Sequence, residues 1–336
     1  MDIDLILDAR ADAAELAELG ALAEQLGFSG IWVSSLLDGR DPFANLMPLA
    51  QATGRIALGP VAVNPWDMHP VKISGALHTL NEYSGGRARI VIGGGGEALA
   101  SLGLKPDRRV RAVRECVEIL RTASRGERFD YQGELYQARG YGLGWLRASP
   151  PKVYVGANME QMLRMAGRVS NGVMLSDLPA DLARKAMQTA RDSAVAKGNN
   201  PAELWFSSFT AWHVYEDAQR ARNEAKRWLL LRGLFRPWVL REFLEPSEID
   251  LIMSSQRAFV NAFVAGSHVI EGIPASLTDK LVDELTLTAS LDNIDGLIDV
   301  LQTYRDVGLS SVSLRLYEQP SKSIQMLAKS VLPALT

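Results

Sequence analysis

The fold is decided by the stretch Arg55–Gly96, which reads RIALGPVAVNPWDMHPVKISGALHTLNEYSGGRARIVIGGGG. Its pattern predicts a strand, a loop marked by prolines, a helix, and a second strand that continues directly into a run of glycines. Glycine weakens a strand, so glycines at the end of a buried strand indicate a bend or the close approach of another group to the backbone. The stretch therefore predicts one β/α unit and a first candidate binding site.

The same alternation of short apolar runs and amphipathic helices extends along the 336 residues. We predict eight strands, and because they are almost wholly apolar they are typical of parallel strands buried on both faces. Eight strand–helix units fit an α/β fold, the closed (β/α)8 TIM barrel, better than an open doubly wound sheet. The predicted strands are Ile3–Leu7, Ile31–Ser34, Ile56–Val63, Ala88–Ile92, Val153–Val155, Gly172–Leu175, Leu204–Val214 and Ser311–Leu316.

A single domain is predicted over residues 1–336, because no linker or shift in composition interrupts the chain. Two insertions are expected at about residues 124–150 and 217–290, after the fourth and seventh strands. The second is predicted to be helical, with breaks near Arg236-Pro237 and Glu245-Pro246. In a barrel, both insertions would lie at the C-terminal rim, where such folds carry their active sites.

The composition indicates a globular enzyme, with 47% hydrophobic and 22% charged residues and a net charge of −3. No basic stripe points to nucleic acid or to an anionic membrane, so neither is expected as a partner. The chain opens on a strand without a basic region, and no run approaches about 18 apolar residues, so we expect a cytoplasmic location.

Several kinds of catalytic site are absent from the sequence. Cys116 is the only cysteine, which excludes an internal disulfide and a cysteine-rich metal site. The four histidines show no H-x-x-x-H spacing, so no metal is expected. Neither a G-x-S-x-G elbow nor a P-loop occurs, which argues against acyl transfer and nucleotide hydrolysis.

The glycine run Gly93–Gly96 with Ala98 matches G-x-G-x-x-A, a weak dinucleotide-binding pattern. It follows the fourth strand rather than the first, and no acidic residue closes a strand about 20 residues later, so a Rossmann site is disfavoured. In a barrel, the same glycines would form the floor of a pocket at the rim. A purely structural turn remains the alternative, since glycine is common in loops.

The third strand ends in Val61-Ala62-Val63 and is followed by Asn64-Pro65-Trp66, an apolar strand end with an aromatic residue beyond it. His69-Pro70 then begins the next helix, with proline at a favourable early position. His69 is a candidate catalytic residue, and its alternative role is that of a residue at the start of the helix.

With these features in place, the chain resembles the luciferase-like flavin and deazaflavin oxidoreductases. The match is best with the branch of the coenzyme F-420-dependent methylenetetrahydromethanopterin reductases, and it extends over most of the chain in the family's order. The segments that carry it are AEQLGFSGIWVS, RIALGPVAVNPWDMHP, TLNEYSGGRARIVIGGGGE, PKVYVGANMEQMLRMAGRVSNGVML and YRDVGLSSVSLRLY.

The resemblance implies a cofactor site. It implies a non-prolyl cis peptide at Val61-Ala62 behind the cofactor ring, with the ring and ribityl chain along the end of the fourth strand. The cofactor phosphate would lie at Gly156–Asn158, where a helix N-terminus would stabilise an anion. The implied cofactor-binding residues are Val61, Ala62, Val63, Asn64, Gly93, Gly95, Gly96, Gly156, Ala157, Asn158, Leu175 and Ser176. The candidate catalytic residues are Asp4, Glu97 and His69. For Asp4, the alternative is a solvated carboxylate at the end of a strand.

The resemblance also implies an activity. We expect an oxidoreductase that transfers a hydride between coenzyme F-420 and a small organic substrate with an imine, enone or carbonyl carbon. One alternative is an FMN-dependent monooxygenase that uses O2 and reduced flavin supplied by a separate reductase. A separate flavin or F-420 reductase is therefore a candidate partner. A further alternative is a barrel that binds a ligand without catalysis. The family commonly dimerises through helices on the side of the barrel, which implies a homodimer.

Two departures from the family leave the cofactor type and the substrate open. Ser34-Ser35-Leu36-Leu37 stands where the family often has a polar pair such as Asp-His, and Asp67-Met68 stands where relatives carry Thr-Arg. An apolar, aromatic substrate pocket is a further hypothesis, although aromatic residues on strands more often serve packing. Its candidate residues are Trp66, Tyr141, Trp145, Trp212 and His213.

Overall fold

The computed structural model describes residues 1–335, and for Glu97 and Ala98 it describes the backbone alone. These residues form two compact units. The N-terminal unit comprises Asp2–Met174 and Ala186–Ser207, and the C-terminal unit comprises Met1, Leu175–Lys185 and the chain from Ser208 onward. The single domain, with insertions at the rim, stays a prediction.

The strands of both units are short and mostly buried. They are β1 (Asp2–Leu7), β2 (Gly30–Ser34), β3 (Ala57–Val61), β4 (Arg89–Ile92), β5 (Phe129–Gln132), β6 (Gln137–Tyr141), β7 (Lys152–Gly156), β8 (Gly172–Ser176), β9 (Trp205–Tyr215), β10 (Thr286–Ser290) and β11 (Ser311–Arg315).

The helices alternate with these strands along the chain. They are α1 (Ala13–Gln25), α2 (Pro42–Ala52), α3 (Pro70–Tyr83), α4 (Arg109–Ala123), α5 (Glu160–Val169), α6 (Ala180–Lys197), α7 (Ala218–Trp228), α8 (Pro237–Leu240), α9 (Pro246–Ser254), α10 (Gln256–Val264), α11 (Ala275–Leu285), α12 (Asp295–Asp306), α13 (Pro320–Met326) and α14 (Leu332–Leu335). None of the described helices is both long enough and apolar enough to cross a membrane.

In the N-terminal unit, six parallel strands are neighbours in the order β1, β2, β3, β4, β7 and β8. Every residue of β2 and β4 is buried, as expected of strands that are covered on both faces. In the C-terminal unit, β9 is flanked by β10 and β11. Eight strands thus alternate with helices as predicted, and the fold is a (β/α)8 TIM barrel.

The structure corrects, extends or confirms the sequence prediction at three points. β3 ends at Val61 rather than Val63, and Val63 forms only an isolated bridge with Ile92. β10 was not predicted, since Thr-Leu-Thr-Ala-Ser contains no apolar run and the strand is defined by its pairing with β9. The breaks in the second insertion are confirmed, with α8 and α9 each beginning at a proline.

The hairpin β5–β6 is anchored by its turn. Glu115 of α4 is fully buried, and its carboxylate accepts hydrogen bonds from the backbone N–H groups of Glu134, Leu135 and Tyr136, each at 3.0 Å. A Cβ atom on Gly133 would lie 2.3 Å from Glu115 Oε2, so the turn requires glycine there. The buried Glu115 carboxylate therefore fixes the turn of the hairpin to α4.

Candidate active site

The end of β3 presents an exposed alanine between two buried valines. The Val61–Ala62 peptide bond is cis, which confirms the prediction made for it. Val61 and Val63 are 7% and 3% exposed, whereas Ala62 is exposed. Val63 N donates to Val91 O at 3.0 Å and Gly93 N donates to Val63 O at 2.8 Å, so the neighbouring strand fixes this backbone. The result is a small, rigid, apolar surface.

The glycine run lies beside this surface. A Cβ atom on Gly93 would lie 3.1 Å from Ala62 Cβ. Gly95 has φ of +74°, and a Cβ atom there would lie 2.4 Å from Leu99 Cδ1 and 3.1 Å from Trp66 Cδ1. Glycine is therefore needed at position 95 for both conformation and space. Bare backbone faces the exposed methyl group of Ala62, as a flat ligand would require.

Trp66 places a free hydrogen-bond donor at the same location. Its Nε1 is buried and has no partner among the described residues. The loop around it is well fixed, because Asn64 Oδ1 accepts from Trp66 N at 2.9 Å and Tyr136 Oη donates to Pro65 O at 2.7 Å. A buried donor without an acceptor is unfavourable, so this N–H group favours a ligand that carries an acceptor.

His69 caps α3. Its Nδ1 accepts a hydrogen bond from Val71 N at 3.3 Å, which leaves the ring proton on Nε2 when the side chain is neutral. The ring lies edge-on to Tyr136 with centroids 5.6 Å apart. His69 thus has the alternative role predicted for it, at the start of the helix. A catalytic role for His69 stays a prediction.

Asp4 is 1% exposed and lies in a buried ion pair, so the alternative of a solvated carboxylate is wrong. Its Oδ2 lies 2.8 Å from Arg89 Nη2 and accepts a hydrogen bond from Trp32 Nε1 at 3.0 Å. The Arg89 guanidinium lies 4.0 Å from the centre of the Trp32 ring. Gly30 makes this possible, since a Cβ atom there would lie 2.8 Å from Asp4 Oδ1 and would overlap Arg89. These contacts give the Asp4 carboxylate a structural role, as the counter-charge of Arg89. A catalytic role for Asp4 stays a prediction.

The catalytic prediction for Glu97 falls on a side chain outside the described residues. Its backbone begins a short 3-10 helix, Glu97–Leu102, directly after the glycine run. Among the described residues, no group of three or more His, Cys, Asp or Glu side chains is arranged to hold a metal ion.

The N-terminus of α5 provides a place for an anion. β7 ends at Gly156, and α5 begins at Glu160 after Met159, which offers no side-chain cap. The N–H group of Ala157 donates to Met174 O at 3.1 Å. The first N–H groups of a helix have no partner within it, so an uncapped N-terminus favours an anion. Gly156, Ala157 and Asn158, predicted at the phosphate, form the loop into this helix.

Leu175 and Ser176, predicted at the same phosphate, end β8 and belong to the C-terminal unit. There Arg236 donates to Ser176 O at 2.9 Å and to Ser176 Oγ at 3.3 Å. The next residue, Asp177, has φ of +51° and pairs with Arg232 at 3.4 Å. Burial raises the pKa of Asp177. The end of β8 is thus surrounded by charged groups.

A second polar cluster of the C-terminal unit lies at the end of β9. His213 Nδ1 and Glu224 Oε2 are 2.9 Å apart, and Tyr215 Oη donates to the same carboxylate oxygen. The ring of Tyr317 stacks on His213 with centroids 4.3 Å apart. Both His213 Nε2 and Tyr317 Oη are buried without a partner among the described residues. Burial lowers the pKa of His213, so the ring is neutral at pH 7.

The profile of the luciferase-like monooxygenases matches residues 2–310. The chain belongs to this family. The 5,10-methylenetetrahydromethanopterin reductase of Archaeoglobus fulgidus is 29% identical over 329 residues, which cover 96% of both proteins. These findings confirm the resemblance stated from the sequence.

Two solved structures of the family show the same fold. The coenzyme F-420-dependent tetrahydromethanopterin reductase from Methanopyrus kandleri superposes with a TM-score of 0.79 at 22% identity, covering 100% of this chain and 99% of the other. An F-420-dependent secondary alcohol dehydrogenase, solved with an F-420–acetone adduct, superposes with a TM-score of 0.80 at 16% identity over the same shares. At these identities the likeness concerns the fold alone.

Several polar groups of this luciferase-like protein were missed by the sequence analysis. Asp177 directly follows β8, and Arg232 and Arg236 lie in the long insertion. Their position in the chain was the only signal in the sequence that they could belong to a site. Of the aromatic candidates, Trp212 and His213 are 1% and 0% exposed, and Tyr141 donates to Val71 O at 3.1 Å. Trp145 is 40% exposed.

The neutral, buried histidines predict a dependence of stability on pH. Burial lowers the pKa of His213 and His78, while the unfolded chain protonates histidine near pH 6.5. Below that pH the unfolded state binds more protons, so stability is lost as pH falls through the folded pKa values. We expect urea unfolding to give a lower free energy at pH 5.5 than at pH 7.5.

The variant His213→Asn should reduce the difference in unfolding free energy between pH 5.5 and pH 7.5. His268→Asn, at an exposed site, is the matched control and should show the same difference as the wild type. An equal difference in the wild type and both variants would contradict a contribution of His213 to the pH dependence of stability.

Proposed function

We propose that this protein is an oxidoreductase that transfers a hydride between coenzyme F-420 and an electrophilic carbon of a small organic substrate, such as an imine, enone or carbonyl. The observation that carries the proposal is the exposed Ala62 beside the cis bond, facing the bare backbone at Gly93. Bound F-420 supplies a hydride donor or acceptor at C5 of its deazaflavin ring. Two of the relatives named above support this cofactor, because their names describe them as F-420-dependent.

The residues present fit a deazaflavin in three respects. Ala62 and Gly93 leave space for a flat ring, which side chains would otherwise fill. The buried Nε1 of Trp66 supplies a donor for an acceptor on the ligand. The uncapped N-terminus of α5 supplies free N–H groups for a phosphate. The protein's part in the reaction would be to orient the ring and anchor the phosphate.

The hairpin β5–β6 supports the exclusion of water from this surface. Its Tyr136 contacts both the loop at Pro65 and the ring of His69. Because Glu115 holds the turn, the hairpin is rigidly positioned beside the loop. Excluding water strengthens polar interactions with a bound ligand and prevents side reactions.

FMN-dependent oxygenation is the second candidate, and the family to which the chain belongs favours it by name. The same ring surface and anion site would accept FMN, and a separate reductase would supply its reduced form. We also propose a homodimer in the cytoplasm, which the resemblance to the family supports. Light scattering of the purified protein tests the dimer.

One titration decides between the two cofactors. The purified protein is titrated with F-420 and with FMN by calorimetry, and oxygen consumption is followed with reduced FMN. Binding of F-420 without oxygen consumption supports hydride transfer. Binding of FMN alone, with oxygen consumption, would overturn it in favour of oxygenation.

The variant Trp66→Phe tests the free donor. We expect its affinity for F-420 to fall about tenfold, because one hydrogen bond to the ligand is lost at roughly 1.4 kcal/mol. Its unfolding free energy should change little, since Trp66 Nε1 has no partner in the described protein. The measurements are a fluorescence titration and urea unfolding.

Trp145→Phe is the matched control, because Trp145 is 40% exposed in the same unit. An equal affinity in the wild type and in both variants would argue against Trp66 as a ligand donor.

A further inference from the structure

One buried carboxylate of the C-terminal unit is shared by two guanidinium groups. Arg232 Nη1 lies 3.4 Å from Asp177 Oδ1, and these side chains are 5% and 3% exposed. Arg236 is half-buried and donates to Ser176, and among the described residues it forms no ion pair of its own. Burial lowers the pKa of Arg236, Asp177 opposes this shift, and the like charge of Arg232 adds to it. One positive charge of this group therefore lacks a counter-charge, which is unfavourable away from water.

The backbone brings these charged groups together. Asp177 has φ of +51°, a left-handed conformation that is unfavourable for a residue other than glycine. Arg232 lies in extended backbone between two short 3-10 turns. A Cβ atom on Gly233 would lie 3.3 Å from Arg236 Nη1 and 3.4 Å from Asp177 Cβ, so a side chain there would crowd both groups. Strained residues of this kind persist where the surrounding structure holds them, and they are frequent at ligand sites.

Two hydrogen-bond donors at this location are buried and unused. Arg232 Nε and Tyr317 Oη have no partner in the part of the chain that the structure describes. Burial raises the pKa of Tyr317, so its hydroxyl keeps its proton at pH 7 and can donate. The two groups are close enough for the charge of Arg232 to oppose this rise. Because buried donors are nearly always hydrogen-bonded in proteins, the pair favours a ligand that carries acceptors.

The ring of Tyr317 is held by its neighbours. It stacks on His213 with centroids 4.3 Å apart, and the ring of Trp228 lies 4.8 Å away. His213 is itself fixed, because its Nδ1 lies 2.9 Å from Glu224 Oε2. The guanidinium of Arg315 lies 5.2 Å from the centre of the Tyr317 ring. The hydroxyl is therefore placed in advance beside positive charge, so little conformational entropy is lost when a ligand binds.

The charge and the donors match a carboxylate. A carboxylate carries one negative charge, and its two oxygens can accept from Arg232 Nε and Tyr317 Oη. A phosphate ester carries up to two negative charges at pH 7, and the single excess positive charge would leave one of them unpaired. The electrostatic match therefore favours an organic acid over a phosphate ester.

We propose that Arg232 and Tyr317 bind a carboxylate of the substrate, which makes the substrate an organic acid with an imine, enone or carbonyl carbon. This inference rests on the proposed function. The position in the fold supports it, because Asp177 follows β8, His213 lies near the end of β9, and Tyr317 lies two residues beyond β11. The carboxyl ends of the strands carry the active site in barrels of this kind.

The test compares a keto acid with its ester. Levulinate and methyl levulinate contain the same ketone and differ in the charge of the carboxylate. Each is titrated into the purified protein by calorimetry, without added cofactor. We expect levulinate to bind about tenfold or more tightly than the ester, because hydrogen bonds to an ionised acceptor are stronger than those to a neutral one.

Two variants locate the site. Tyr317→Phe and Arg232→Lys should each lower the affinity for levulinate about tenfold and leave the affinity for the ester unchanged. Lysine keeps a positive charge beside Asp177, so the fold should be retained, but it lacks the Nε–H group of a guanidinium. Circular dichroism checks that both variants are folded.

The matched controls come from the same unit. Tyr215→Phe removes a hydroxyl that donates to Glu224 within the protein, and Arg184→Lys changes an exposed arginine of α6. Both should bind levulinate as the wild type does. Equal affinity of the wild type for the acid and the ester would overturn the inference, as would unchanged affinity for levulinate in Tyr317→Phe and Arg232→Lys.

F-420 is titrated into the same proteins, and its affinity should be equal in the wild type and in all variants. Binding of F-420 without a preference for levulinate over its ester would overturn the inference alone. No binding of F-420 would instead overturn the proposed function. A loss of F-420 affinity in Arg232→Lys would also contradict the inference, because the guanidinium would then serve the cofactor rather than the substrate.

Discussion

Gly93→Val should lower the affinity for F-420 by about 100-fold or more, which is about 2.7 kcal/mol of binding free energy. A Cβ atom at this position would lie 3.1 Å from Ala62 Cβ, and the two methyl groups of valine would fill the space over the exposed strand end. The backbone of Gly93 is outside the left-handed region, so the fold should tolerate the change. Fluorescence titration with F-420 measures the affinity, and circular dichroism measures the fold.

The control for this variant is Gly144→Ala, because a Cβ atom on Gly144 would meet no atom within 4 Å. It should bind F-420 as the wild type does. If Gly93→Val retained full affinity and remained folded, the ring could not lie against Ala62. The proposed location of the cofactor would then be wrong.

Asp4→Asn should lower the unfolding free energy by about 3–5 kcal/mol, because it leaves the buried Arg89 without its counter-charge. Urea unfolding measures the loss. Arg89→Met in the same chain should restore part of it, since the double variant contains no buried unpaired charge. Asp2→Asn, at the exposed start of the same strand, should stay within about 0.5 kcal/mol of the wild type.

This experiment also separates the two roles of Asp4. A structural role predicts a large loss of stability that the second substitution relieves. An unchanged unfolding free energy, together with a loss of activity, would contradict that role and would favour the catalytic one.

Much of the fold could be predicted because its signals are local. Continuous apolar runs marked the eight parallel strands, and prolines marked the starts of α8 and α9. β10 gave no such signal, because Thr286–Ser290 is largely polar and is held by its pairing with β9. A strand that is defined by its neighbour rather than by its side chains cannot be identified from its own sequence.

The candidate site was predictable only in part. The glycine run and the cis bond at Val61-Ala62 came from a local pattern and a family resemblance. The free Nε1 of Trp66 and the pairing of Asp4 with Arg89 depend on contacts between distant segments. The cleft between α4 and α5, which is lined by Arg114, Arg164 and other cationic side chains, is also non-local. It combines the faces of two helices, and the charges of each helix alone are typical of a solvated surface.

The anchoring of the hairpin through its turn has a consequence for its motions. The turn of an exposed hairpin usually opens most readily, so its amide protons exchange rapidly with solvent. Here the amides of Glu134, Leu135 and Tyr136 all donate to the buried carboxylate of Glu115. We therefore expect deuterium to enter the turn more slowly than the exposed strand ends, as hydrogen-exchange mass spectrometry would detect. Such a hairpin opens from its free edges while its turn remains closed.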